Sequence, residues 1–146
     1  NELLLASLRQ ILSDSNASSL IIIGKAKNEK NPLDLLLEEA EHFFLSDDFA
    51  IALDLLNMGN ADPELKQNVL DISRAHRMPL ENEWIQIFQG VGLSLKDAQS
   101  LVWMNYSIFR GLAIRGLLGD DFTHNKQVIA EWKTMILKQF SLSPAK

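Results

Sequence analysis

Residues 107–119 have the sequence "SIFRGLAIRGLLG", in which helical spacing is combined with Gly111, Gly116 and Gly119. Glycine inside a helix is about 1 kcal/mol less favourable than alanine, so the stretch predicts a compensating interaction. Small residues compensate in this way when they let two helix backbones approach closely. We therefore expect this helix to lie against another helix, and a second copy of the chain could supply it.

The helix that carries these glycines has two apolar faces. Residues 94–97, "SLKD", form a capping box that predicts a helix start, and the apolar spacing continues to about Leu118. One face is expected to pack in the core of the domain. The other face is covered either by a second copy of the chain, in a homodimer formed through the last two helices, or by other helices of a monomeric bundle. The pattern favours neither alternative. The predicted interface residues are Met104, Ser107, Ile108, Gly111, Ile114, Leu118, Val128, Trp132, Met135 and Ile136.

Composition narrows the class of protein. The chain has 146 residues, of which 47% are hydrophobic and 23% charged, as expected for one globular domain. A net charge of −5 makes it a poor candidate for holding a phosphate backbone by itself. The sequence printed has no cysteine and no apolar run of about eighteen residues, and we expect no signal peptide. We expect a cytoplasmic protein with no membrane partner.

Helix start signals divide the middle of the chain. Pro32 begins one segment with an apolar face, Ser46 is a predicted N-cap, and Asp62 followed by Pro63 marks a further start. Pro79 is predicted to kink or end the helix that begins at Pro63, which would leave a separate helix after it.

The two ends of the chain also favour helix. Residues 1–13 have the apolar spacing of a helix, whereas residues 13–31 begin with turn-forming residues. Residues 20–23, "LIII", fit a strand or a helix, and helix is favoured because no partner strand is predicted. A last helix is predicted over residues 124–140. The prediction is a single all-α domain, residues 1–146, with about seven helices in a bundle.

Four motifs occur in an order that points to a known family. Residues 1–8 are "NELLLASL", and residues 60–77, "NADPELKQNVLDISRAHR", begin a helix at "DPEL" and carry arginines farther along. Residues 90–101 are "GVGLSLKDAQSL", and residues 109–119 are "FRGLAIRGLLG". Together they resemble the C-terminal ligand-binding and dimerisation domain of TetR-family transcriptional regulators, over nearly the whole chain.

The resemblance implies an all-helical domain that dimerises through its last two helices and encloses a small-molecule cavity. It also implies a preceding helix-turn-helix domain, joined through residues 1–13, that binds operator DNA. The expected partners are a second copy of the chain, a small-molecule effector and, through that preceding domain, operator DNA; no cofactor is expected. Effector binding would change operator affinity by shifting the dimer between two geometries, most simply in a repressor.

An aromatic cluster lies in the two helices that the family uses around its cavity. Ligand pockets are mainly apolar with a few polar groups, so an apolar or amphipathic effector is expected. Plain core packing is the more common role of aromatic residues at helical spacing, and a core histidine with satisfied hydrogen bonds is more common than a ligating one. The candidate ligand-binding residues are Trp84, Phe88, Trp103, Asn105, Tyr106, Phe109 and His76.

Residues suited to catalysis or metal binding are few. Glu38 and His42 lie one helical turn apart, but they lie among other charges opposite the apolar face, which favours a solvated surface. The sequence contains neither a nucleophile elbow nor a phosphate-binding glycine loop. We predict no catalytic and no metal-binding residues. Two alternatives to a regulator stay open: a helical protein–protein interaction module and, less favoured, an enzyme domain with its site elsewhere.

Overall fold

The structure, a computed structural model, describes residues 1–119 and 122–142, and it confirms the all-α prediction within them. The described residues form six α-helices rather than about seven, with a short 3-10 turn at Gly59–Ala61. The helices are α1 (Glu2–Ala26), α2 (Leu33–Phe44), α3 (Asp47–Met58), α4 (Pro63–Gly90), α5 (Leu95–Gly116) and α6 (Phe122–Gln139).

The helix α1 continues without a break through residues 13–19, "SDSNASS", where the predicted turn is therefore wrong. Ser15 and Ser19 are buried and Asn16 is half-buried, so this polar stretch lies against the bundle rather than in solvent. Tertiary packing outweighs the weak helix propensity of serine and asparagine here. The helical prediction for residues 20–23 is confirmed.

Pro79 lies inside α4 and does not end it, so the helix predicted after it is part of α4. A proline removes one main-chain hydrogen bond and weakens its neighbours in the preceding turn. In that turn, Asn16 Nδ2 donates a hydrogen bond of 2.7 Å to the carbonyl oxygen of His76. Leu80, directly after the proline, is buried in the core. Both contacts lie next to the proline and hold this part of α4 against the rest of the protein, which is why one helix continues where two were predicted.

Three predicted helix starts are confirmed by their capping bonds. Asp62 Oδ1 accepts hydrogen bonds from the main-chain N–H groups of Glu64 and Leu65, at 3.1 and 3.2 Å. Ser94 Oγ accepts one from the N–H of Asp97 at 3.1 Å. Ser46 Oγ accepts one from the N–H of Phe49 at 3.4 Å. Each bond satisfies a main-chain donor that the first turn of a helix leaves free.

The core lies between α1, α2, α4 and α5, and Trp84, Phe88 and Phe109 are its largest fully buried side chains. α3 packs across α1, α2 and α4 and buries Leu55. α6 is held to the bundle through its buried residues Trp132 and Ile136. Among the described residues, no helix combines the length and apolar character that crossing a bilayer requires.

Candidate functional site

A cavity of about 410 Å³ is lined by residues of α1, α2, α3, α4 and α5. Its volume is in the range of small-molecule sites, about 300–1,000 Å³. The exposed side chains of Arg74, Met78 and Arg110 are part of its lining, so the cavity opens to solvent. The lining residues are Leu12, Phe43, Phe44, Phe49, Ala52, Leu53, Leu56, Val69, Leu70, Ser73, Arg74, Arg77, Met78, Glu81, Tyr106 and Arg110.

A buried polar group connects three helices beside this cavity. The carboxylate of Glu39, on α2, is completely buried. Its Oε1 accepts a hydrogen bond of 3.1 Å from Arg77 Nη1 on α4, and its Oε2 accepts one of 3.3 Å from the Tyr106 hydroxyl on α5. We call these three residues the Glu39 network. A buried carboxylate is stable only when a cation and hydrogen-bond donors compensate it, and this network provides both.

The guanidinium group of Arg77 is held by aromatic rings as well as by Glu39. Its central carbon lies 3.9 Å from the centre of the Phe43 ring and 5.3 Å from that of Tyr106. Contacts of this kind are favourable cation–π interactions, and they fix the plane of the guanidinium. Arg77 Nη2 is buried and has no hydrogen-bond partner among the described residues. Arg77 as a residue lines the cavity, but its unpartnered Nη2 is closed to solvent.

Tyr106 stays protonated in this environment. Burial raises the pKa of its hydroxyl well above the ordinary value of 10.0, the negative charge of Glu39 raises it further, and Arg77 opposes the shift. A neutral hydroxyl is the form that donates to the Glu39 carboxylate. Tyr106 is thus a hydrogen-bond donor at physiological pH.

Local sequence explains how Glu39 and Arg77 come to face each other. On α2, Glu39 follows Leu36 by three residues and precedes Phe43 by four, which places it on the buried face. On α4, Arg77 precedes the buried Leu80 by three residues. Sequence reasoning missed both. The signal that identifies them is an acid and an arginine within facing apolar stripes, because such charges are rarely buried unless they pair.

The predicted ligand-binding residues are mostly in the core. Tyr106 lines the cavity, whereas the remaining candidates do not. Trp84, Phe88 and Phe109 are fully buried, as expected of aromatic residues that pack in the core. The buried Asn105 accepts a hydrogen bond of 2.9 Å from Trp132 Nε1. Two other candidates also lie outside the cavity lining: Trp103, half exposed on α5, and His76, whose Nδ1 is 2.8 Å from the Ile72 carbonyl oxygen.

The predicted interface residues divide into three groups. Trp132 and Ile136 are buried within the protomer, because α6 uses them to pack on the bundle, so they have little surface left for a partner. Ile108 and Val128 are half-buried. A third group forms an exposed surface, which we call the outer face, consisting of Met104, Ser107, Gly111, Ile114, Leu118 and Met135.

The glycine at the centre of the outer face has no packing role inside the protomer. A Cβ atom built on Gly111 would meet nothing within 4 Å in the described part of the chain. The same holds for Gly116. Among the described residues, the helix thus accepts the unfavourable propensity of glycine without a close contact that requires it.

Glu38 and His42, the pair one turn apart on α2, are both exposed. Within residues 1–119 and 122–142, no group of three His, Asp or Glu side chains is arranged to hold a metal ion.

Comparison with known proteins shows what kind of protein the chain is similar to. The chain is 33% identical over 120 residues to the HTH-type transcriptional regulator CymR of Pseudomonas putida. This chain resembles a transcriptional regulator. The match covers 82% of the chain but 59% of the relative, so the chain spans about three-fifths of that protein's length. No family model matches the chain, and no solved structure matches it.

Proposed function

We propose that this chain is the effector-sensing and dimerisation domain of a cytoplasmic TetR-type transcriptional regulator, most simply a repressor. The observation that carries the proposal is a mainly apolar cavity of about 410 Å³ in a chain that resembles a helix-turn-helix regulator. With a net charge of −5, the chain itself is a poor DNA ligand. Operator DNA is bound by another part of the protein.

The effector occupies the cavity beside the Glu39 network. The predicted residue Tyr106 takes part in this site, and Arg77 and Phe43 join it. Trp84, Phe88 and Phe109 support the site from the core rather than touching the effector. This assignment follows the usual composition of small-molecule sites, in which an apolar lining gives affinity and a few polar groups give orientation.

A second copy of the chain covers the outer face. Exposed apolar side chains such as Met104, Ile114 and Met135 surround Gly111, where two helix backbones can approach closely. A two-fold axis would place the same face of each protomer against the other, as in most homodimers.

The effector acts on DNA affinity through α4 and α1. Arg77 lines the cavity on α4, and the carbonyl oxygen of the preceding residue, His76, accepts the hydrogen bond from Asn16 of α1. In this proposal α1 leads to the DNA-binding part of the protein. A ligand that moves α4 therefore changes the position of α1 and shifts the dimer between two geometries.

An interaction module would also use an exposed apolar face, but it does not account for the cavity and its buried network. The similarity to a transcriptional regulator likewise supports a regulator over an enzyme.

DNA selection with the full-length protein tests the proposal. The protein is mixed with fragmented genomic DNA from its source, and bound fragments are recovered and sequenced. We expect a discrete site with two-fold symmetric half-sites about one helical turn apart. The matched control, Gly111→Leu, should bind that site less tightly because its dimer is weaker. A protein that enriches no fragment at low salt would contradict the proposal.

A further inference from the structure

We infer that the cavity takes a mainly apolar molecule with one hydrogen-bond-accepting oxygen, and that this oxygen binds the Arg77 guanidinium after a small turn of the side chain brings Nη2 to the cavity. The inference rests on the proposed function, because it specifies the effector of that same site. It predicts a chemical class of ligand and one residue that selects it.

The apolar part of the ligand follows from the walls of the cavity. Phe43, Phe44 and Phe49 form a mutually packed aromatic cluster, with ring centres 4.9 to 5.6 Å apart. All three line the cavity, together with aliphatic residues of α3 such as Leu53 and Leu56. A flat molecule about the size of two fused rings fits such a surface, because aromatic faces and edges pack favourably on each other.

The polar part follows from the hydrogen bonds that the network leaves open. Glu39 accepts bonds from Arg77 Nη1 and from the Tyr106 hydroxyl, whose proton is thereby used. The buried Nη2 of Arg77 has no acceptor among the described residues and is closed to solvent, so the guanidinium has to turn for a ligand in the cavity to reach it. A buried donor without a partner is unfavourable, so a ligand that supplies an acceptor gains more than an apolar ligand of the same shape.

The ligand does not need a charge of its own, because Glu39 already neutralises Arg77. The exposed cations Arg74 and Arg110 outnumber Glu81 in the cavity lining, so a negative charge on the ligand is tolerated as well. A neutral carbonyl and a carboxylate share the chemistry that Arg77 requires, which is an oxygen with a free lone pair.

The experiment uses three probes of similar shape: naphthalene, 2-acetylnaphthalene and 2-naphthoate. Binding to the full-length protein is measured by calorimetric titration. We expect the ketone to bind roughly tenfold or more tightly than naphthalene, the ratio expected when one charge-assisted hydrogen bond is gained. Comparison of the ketone with 2-naphthoate then tells whether a neutral or a charged acceptor is preferred.

The decisive variant is Arg77→Met combined with Glu39→Gln, which removes the donor without leaving an unpaired carboxylate. It should bind naphthalene as the wild type does but lose the preference for the ketone. Arg9→Met, the matched control at an exposed arginine of α1 outside the cavity lining, should keep that preference. Should the double variant fail to fold, Arg77→Lys keeps the ion pair with a different donor geometry and should reduce the preference.

Two results would overturn the inference. One is equal affinity of the wild type for naphthalene and the ketone, or no binding of any probe. The other is a double variant that folds and keeps the wild-type preference. Neither result bears on DNA selection by the full-length protein, so failure of this inference is distinguishable from failure of the proposed regulatory function.

Discussion

The two faces of α5 carry side chains of similar apolar character and differ in what covers them. Buried side chains line the inner face, whereas on the outer face Met104 and Ile114 keep 44% and 48% of their surface exposed. The difference teaches that helix periodicity identifies which residues share a face but not which molecule covers it. The buried inner-face residues are Ala98, Leu101, Val102, Asn105, Tyr106, Phe109 and Leu112.

The polar groups of the two faces also differ in whether they bond to other helices or to their own helix. On the inner face, Tyr106 and Asn105 make hydrogen bonds to other helices, which position those helices around the core. On the outer face, the Ser107 hydroxyl donates to the carbonyl oxygen of Trp103 in its own helix, at 2.9 Å. The inner face therefore organises the protomer, whereas the outer face presents an apolar surface with its hydroxyl satisfied locally.

The largest expected effect comes from breaking the network beneath the inner face. Arg77→Met leaves the buried Glu39 carboxylate without its cation, which should lower the free energy of unfolding by about 3–5 kcal/mol. Urea denaturation of the variant measures this loss. Adding Glu39→Gln to Arg77→Met should restore most of it. Arg9→Met, at an exposed arginine of α1, should change stability by less than about 0.5 kcal/mol. An equal loss in both single variants would show that burial of the ion pair is not the cause.

The next largest effect on stability is expected at one of two neighbouring residues of α6. Ile136 is completely buried, whereas Met135 is 59% exposed and belongs to the outer face. Ile136→Ala should lower protomer stability by about 2–5 kcal/mol, because it creates a cavity in the core. Met135→Ala should leave protomer stability nearly unchanged and weaken the dimer. The two readouts are denaturation at low protein concentration and sedimentation at several concentrations. If Met135→Ala leaves the dimer as stable as in the wild type, α6 takes no part in the dimer interface.

The smallest effect concerns the pKa of Tyr106, the one tyrosine of the chain. Burial raises this pKa above its unfolded value of 10.0. The stability that the protonated hydroxyl supports is therefore complete below pH 10 and is lost as the pH rises from there towards the folded pKa. Above pH 10 the loss should approach about 1.4 kcal/mol per pH unit.

Denaturation of the wild type and of Tyr106→Phe over this pH range isolates the effect from other titrating groups. The difference between the two proteins should change only above about pH 10. Tyrosinate absorbance in the folded wild type should appear later than in the unfolded protein. Ionisation of Tyr106 at its ordinary pKa would contradict the buried hydrogen bond to Glu39.

The helices were predictable wherever a capping residue preceded an apolar stripe. Asp62 and Ser94 marked two helix starts correctly, because their side-chain bonds are local. Residues 13–19 and Pro79 were misjudged because their conformation depends on contact between α1 and α4, including the hydrogen bond from Asn16 to the His76 carbonyl. Propensity describes one segment at a time, whereas this contact joins residues 60 positions apart.

The cavity was less predictable than the fold. The aromatic spacing of α5 indicates that Tyr106 could line a cavity. It gives no indication of Glu39 or Arg77, because each of these two residues resembles a surface charge within its own segment. Only their joint position on facing apolar stripes indicates a buried pair. Which aromatic side chains line the cavity depends on how α3 packs across α2 and α4, and the periodicity of a single helix does not contain that information.

The measurement that tests the contrast between the two faces most directly is sedimentation of the wild type and of Gly111→Leu across micromolar concentrations. We expect the wild type to be a dimer. Leucine favours helix by roughly 0.8 kcal/mol over glycine and meets no atom within 4 Å in the described part of its own protomer. The variant should therefore be a more stable protomer and a weaker dimer. A monomeric wild type, or a variant that dimerises as well as the wild type, would contradict the assignment of the outer face to a second copy of the chain.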